Sequence, residues 1–165
     1  MLSSSEIRAA TDRGAIRLLP IRSRRELPER SLYLHPTIHD AIIEETGTDE
    51  HLERMLVLRA DLDRFSSGGR IPDDSRYLKL LRPHGDGIWE IRSHQQPPYR
   101  LLGMFARRDV FIGLAMAQRG HLGRNNSRPW RELIAMARHR WNETFGASWM
   151  RGDLHAVVSG VVHVD

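Results

Sequence analysis

Arg92, Arg100 and Arg119 stand on or at the ends of three strand-like runs within residues 88–119, IWEIRSHQQPPYRLLGMFARRDVFIGLAMAQR. Neighbouring strands can bring such residues to one spot although they are distant along the chain. Three guanidinium groups meeting there would clamp a phosphate, because each presents planar forks of donors that match its oxygens. They would also stabilise the negative charge that develops on a phosphate at a cleavage point. Between Ile88 and Arg140, ten arginines face only Glu90, Asp109 and Glu132, a local excess of seven against +4 for the whole chain. Positive charge is concentrated in this stretch, as a polyanion partner requires.

Lys79, Arg82, Arg107, Arg124 and Arg128 are further candidate nucleic-acid contacts, and Lys79 is the only lysine in the sequence. Tyr99, Trp130 and Trp89 would stack on bases if exposed. The alternative is that Trp89 and Trp130 belong to the core and that several arginines are ordinary surface groups. Glu90, His94 and His121, with His84, are the candidate acid and base groups, histidine because it titrates near neutrality. Glu90 shares a strand face with Arg92 and is equally placed for a structural ion pair. Nine histidines show no HExxH spacing and cysteine is absent, so neither a metal nor another cofactor is expected. The motifs GxSxG, P-loop and GxGxxG are also absent.

The elements that must position these groups follow from periodicity. Residues 1–14 are polar and expected to be irregular, and Ala15–Ile21 reads as a strand. Thr37–Glu45 reads as a short helix stopped by Gly47. Leu52, Met55, Leu56, Leu58 or Arg59, Leu62 and Phe65 recur at spacings of three and four, predicting an amphipathic helix capped by Asp49 and closed by Gly68 and Gly69. Leu78–Leu81 is a helical turn or a short extended piece before the HGDG turn at 84–87. Ile88–His94, Tyr99–Phe105 and Val110–Ala117 are strands whose short connections demand antiparallel pairing. The Leu52–Phe65 helix should cover the apolar face of that sheet and leave the other face to meet phosphate. After a polar loop, Pro129 opens a helix with the stripe Trp130, Leu133, Ile134, Ala137 and Trp141, ended by Gly146. The final LHAVVSGVVHVD reads as an edge strand.

A chain of 165 residues with 40% hydrophobic content suits one domain, 1–165. No apolar run reaches the roughly 18 residues of a membrane span, and MLSSSEIRAATDRG carries no apolar signal core, so a soluble cytoplasmic protein is the expectation.

In their order these motifs resemble the RelE/ParE toxin superfamily, especially its phage-derived Gp49-like or HigB-like branch. The resemblance runs over residues 50–141. It rests on the Leu52–Phe65 helix, Lys79-Leu80-Leu81, Gly87, IWEIR at 88–92, YRLL at 99–102, VFIGLAMA at 110–117, Gln118-Arg119 and Pro129 followed by RELIAMA at 131–137. It implies an α+β fold, a small antiparallel sheet packed against helices, with N- and C-terminal additions at 1–45 and 147–165. It implies a toxin-like, metal-independent endoribonuclease cleaving ribosome-bound messenger RNA through the ribose 2′-hydroxyl. Arg100 then matches the arginine after the family's tyrosine, with Arg92 and Arg119 supporting the phosphate. The implied partners are the ribosome, messenger RNA and a helix-turn-helix antitoxin, with the additions able to bind that antitoxin or a second copy as a homodimer. The alternatives are a non-catalytic RelE-like module binding nucleic acid or an acidic protein, and a gyrase-directed ParE-like toxin.

Overall fold

A computed structural model describes residues 1–21, 29–44, 47–74, 76–81, 87–94, 96–146 and 149–164. Three strands build its centre: β5 (Trp89–Arg92), β6 (Tyr99–Arg107) and β7 (Val110–Gln118) form the expected antiparallel meander. The Leu78–Leu81 segment resolves as a strand, β4 (Leu78–Leu80), antiparallel to β5. The sheet continues on the other side through β2 (Ser31–Leu34), parallel to β7, and β1 (Arg17–Leu18), giving the order β1-β2-β7-β6-β5-β4. The sheet is therefore six-stranded and mixed, and two strands from the first 45 residues belong to it, so that stretch is not wholly an addition outside it.

Helices cover both faces. Trp89, Ile91, Leu101, Phe105 and Phe111 alternate onto one side and meet Met55, Leu58, Leu62 and Phe65 of α3 (Asp49–Ser66), with Ile38 and Ile42 of α2 (Pro36–Ile43) beside them. Leu56, which the periodicity assigns to the stripe, is exposed, and Thr48 rather than Asp49 caps the helix. Ile88, Leu102, Met104 and Ile112 take the other side, under Trp130, Leu133, Ala137 and Trp141 of α5 (Arg128–Phe145). The expectation of one open face is thus corrected. The reason is legible in β6 and β7, whose buried residues run almost without interruption, the mark of strands packed on both sides.

Between β6 and β7 the register slips at Leu102/Gly103. A side chain at Gly103 would place its Cβ 2.1 Å from the Ile112 carbonyl oxygen, so only glycine admits this approach. The slip turns both Leu114 and Ala115 toward α5, and the Arg140 guanidinium donates to the Leu114 carbonyl at 2.6 Å.

The termini are more regular than expected. Residues 4–12 form α1, where the Ser3 hydroxyl accepts from the Glu6 N–H and the Glu6 carboxylate accepts from the Ser3 N–H. The C-terminal segment forms a short helix, α6 (Leu154–Val157), and then β8 (Val161–Val162), which pairs in parallel with β3 (Ile71–Pro72) in a separate two-stranded sheet. Buried Arg30 ties these parts together: it donates to the carbonyls of Phe65, Gly69 and Ser159 and pairs with Asp109.

Candidate functional site

At the end of the sheet where β5 stops and β6 starts, α5 no longer closes on the strands. Arg92 and Arg100 are direct cross-strand partners there, and Arg100 lies opposite Ala117 on β7. β7 leads without a break into α4 (Arg119–Leu122), whose first backbone N–H donates to the Pro98 carbonyl at 2.7 Å. That bond draws Arg119 to the start of β6. The three arginines therefore line one open cleft of about 890 Å³ between the sheet and α5.

Glu90 is the hinge of the arrangement. It is two residues before Arg92 on the same strand face, in register with Lys79 of β4, and only 1% exposed. Its Oε1 lies 2.7 Å from Arg100 Nε, a charge contact not aligned as a hydrogen bond, and its Oε2 accepts from Arg92 Nη2 at 3.2 Å. Burial pulls the Arg100 guanidinium below its ordinary pKa, Glu90 opposes that shift, and Arg92 and Arg119 reinforce it. The trio thus interacts electrostatically as well as sharing a wall. Arg100 also donates to its own strand, to the Tyr99 carbonyl at 2.9 Å.

The other candidates divide sharply. Lys79 lines the cleft. Trp130 lines it too but is 6% exposed, and Arg119 already sits over its ring at 5.9 Å, so it is a wall and not a stacking platform. Tyr99 points the other way, into the α3 layer, where its hydroxyl accepts from Gln118. Arg107 is at the far end of β6, seven residues or roughly 20 Å from Arg100, and donates to the Ser4 hydroxyl. Arg124 and Arg128 are exposed outside the cleft lining, the latter paired with Glu132 at 2.7 Å. His94 sits against Tyr77 on the α3 side, its N–H on Asp61, and His121 is exposed on α4 without reaching the cleft. Arg82 and His84 lie outside the described residues. Of the described acid and base candidates only Glu90 enters the site, and its carboxylate is engaged by two arginines.

Four polar lining residues escaped the reading of the sequence as site residues, Asn125, Asn126, Arg131 and Arg138, as did the apolar Leu81, Ile134 and Ala135. The two arginines had a signal. Arg131, Ile134, Ala135 and Arg138 recur at helical spacing beside the apolar stripe, so they share a face of α5. With them the described part of the cleft carries six cationic side chains and one carboxylate. A concave surface of one sign concentrates anions and strengthens their binding.

Fold and site together define a mixed α+β protein with an arginine-lined cleft at one end of its sheet. Comparison with known proteins gives no significant match to any family model, any curated protein or any solved structure. Among the described residues, no cluster of three histidine or acidic side chains could hold a metal ion. No helix among them is long and apolar enough to cross a membrane.

Proposed function

We propose that this chain binds RNA in the cleft and cleaves it as a RelE/HigB-like toxin, acting on messenger RNA held in the ribosome and neutralised by an antitoxin. The observation that carries this reading is the meeting of Arg92, Arg100 and Arg119, from separate parts of the meander, in one open cleft. Guanidinium groups fixed before the substrate arrives stabilise a phosphorane-like transition state without reorganising. The ribose 2′-hydroxyl supplies the nucleophile: its oxygen attacks the adjacent phosphorus, the bond to the 5′-oxygen breaks, and a 2′,3′-cyclic phosphate and a 5′-hydroxyl result. In this scheme Arg100 contacts the reacting phosphate, Arg92 and Arg119 hold its oxygens, and Glu90 positions Arg92 and Arg100.

A second reading has its own support. Neither His94 nor His121 reaches the cleft, and Glu90 is held by two cations, which favours a module that binds nucleic acid without cutting it. Translation reactions programmed with one messenger RNA, followed by mapping of RNA ends, separate the two. Cleavage that appears with the wild type and falls at least about a hundredfold with Arg100→Ala, the scale of losing one preorganised donor, supports the enzyme. Salt-sensitive RNA binding without new ends identifies the binding module, and equal cleavage by the variant rejects the role given to Arg100.

A further inference from the structure

The two walls of the cleft differ in chemistry. On the sheet side the lining is mostly charged, whereas on the helix side Ile134 and Ala135 form an apolar strip between Arg131 and Arg138, Ala135 exposed and Ile134 half-buried. The strip follows from helix geometry. Leu133 and Ala137 point into the core, and each following residue is rotated by about 100°, so Ile134 turns partly toward the opening. Asn125 and Asn126, on the loop before α5, add two carboxamides to the lining, each a donor and an acceptor. Asn126 holds a left-handed backbone, φ 66°, a conformation asparagine tolerates better than most side chains.

A bare polyanion has no use for the apolar strip, and a duplex keeps its base faces stacked inside. The 890 Å³ of the cleft falls within the ~300–1,000 Å³ that encloses one compact ligand. Flat apolar wall, carboxamides and guanidinium groups within one such volume match the parts of a nucleotide whose base has left its stack. We propose that the cleft takes an unpaired nucleotide, its phosphate on Arg92 and Arg100, its base against Ile134 and Ala135, and Asn125 and Asn126 at the base's hydrogen-bonding edge. This rests on the RNA reading above and adds the substrate class: single-stranded RNA, recognised through a base and not by its backbone alone.

The test is fluorescence anisotropy at low salt with the full chain and three labelled probes of equal length: single-stranded RNA, an abasic ribose-phosphate strand and an RNA duplex. The base-bearing single strand should bind about tenfold more tightly than either of the others, the scale of burying one face of a base. Ala135→Trp fills the strip and should bring the ratio of base-bearing to abasic affinity down toward one. Asn125→Ala, on the exposed loop, should lower the ratio of base-bearing to abasic affinity even if the tryptophan variant fails to fold. Equal affinity of the wild type for base-bearing and abasic strands overturns the inference and leaves the RNA reading standing, as does a ratio unmoved by Asn125→Ala. Arg100→Ala should weaken all three probes; binding unaltered in that variant overturns the RNA reading itself.

Discussion

Glu90→Gln removes one charge at almost constant volume, and the structure sets the size of the consequence. The carboxylate is 1% exposed and contacts Arg100 at 2.7 Å and Arg92 at 3.2 Å. Those two arginines are directly opposite one another across β5 and β6, where like charges repel. Removing one partner from a buried ion pair typically costs ~3–5 kcal/mol. Arg100 and Arg92 retain 14% and 26% side-chain exposure on the cleft, so water screens part of the loss and the lower end, about 3 kcal/mol, is expected. For a chain of this length that corresponds to a fall in Tm of about 6–12 °C. A phosphate-bearing ligand should then replace the missing charge. In thermal scans with increasing inorganic phosphate or short RNA, the gap between variant and wild type should narrow, because a ligand that binds the native state more tightly stabilises it more. A variant that melts within about 2 °C of the wild type would refute the stability argument. Equal stabilisation of both proteins by phosphate would show that the anion does not sit where the Glu90 charge acts.

Three other perturbations probe the frame around the cleft. Burial, then the charge of Arg140, holds the pKa of His35 below its ordinary 6.5, with Glu143 opposing. The folded state therefore binds fewer protons than the unfolded one between that lowered value and 6.5, so stability is full above this window and is lost as pH falls through it. His35→Gln should flatten the urea midpoint between about pH 5 and 7.5, and an unchanged slope would count against the assignment. Arg30→Met removes the guanidinium from the carbonyls of Phe65, Gly69 and Ser159 and leaves Asp109 with the Ser159 amide and hydroxyl but without its buried cation. A loss of about 4 kcal/mol is expected, with faster hydrogen exchange at Ile71 and Asp73, whose amides donate to Gly160 and Val162; unchanged exchange there would mean that Arg30 does not hold the C-terminal strand. Gly103→Ala should cost about 2 kcal/mol through the clash with the Ile112 carbonyl, read as a shifted urea midpoint, and a neutral result would mean that the strands slide to admit the methyl group.

The meander and its arginines were legible because their signals are local. Alternation puts Glu90 and Arg92 on one face of β5, short connections force antiparallel neighbours, and those neighbours bring Arg92 and Arg100 together. The proline and apolar stripe of α5 were equally plain. What escaped depends on partners far along the chain. The parallel pairing of Ser31–Leu34 with Val110–Gly113 joins segments about eighty residues apart, and nothing in SLYL names its neighbour. The direction of Tyr99 could have been read from the same alternation that places Arg100, since adjacent residues of a strand face opposite sides. α1 carried a capping signature, Ser3-Ser4-Ser5-Glu6, that polarity alone obscured. Glu90 was open to two readings because a carboxylate beside one arginine can accept a proton or a charge pair. The cross-strand arrival of Arg100 on the same carboxylate supplies the information that sequence lacks.

Covering both faces of the sheet has a consequence for how a nucleic acid would approach. Among the described residues no broad flat surface of the sheet lies open to a duplex, because α3 covers one side and α5 most of the other. Access is confined to the end of the meander, where the stripe of α5 gives way to Arg131 and Arg138 and the strands present Arg92 and Arg100. Without a counter-charge such a cluster would push its own strands apart. Buried Glu90 cancels one charge at the point of closest approach, and the described lining of the cleft keeps a net positive charge. Its burial also raises the strength of each contact, since water reaches the arginines from the cleft side only. The same carboxylate that offsets the repulsion between the two arginines therefore marks where a phosphate would compete on the proposed reading: opposite Glu90, across Arg92 and Arg100. On the proposed reading, an RNA strand entering there would meet the charged floor and the Ile134–Ala135 strip together, which a rigid double helix could not do.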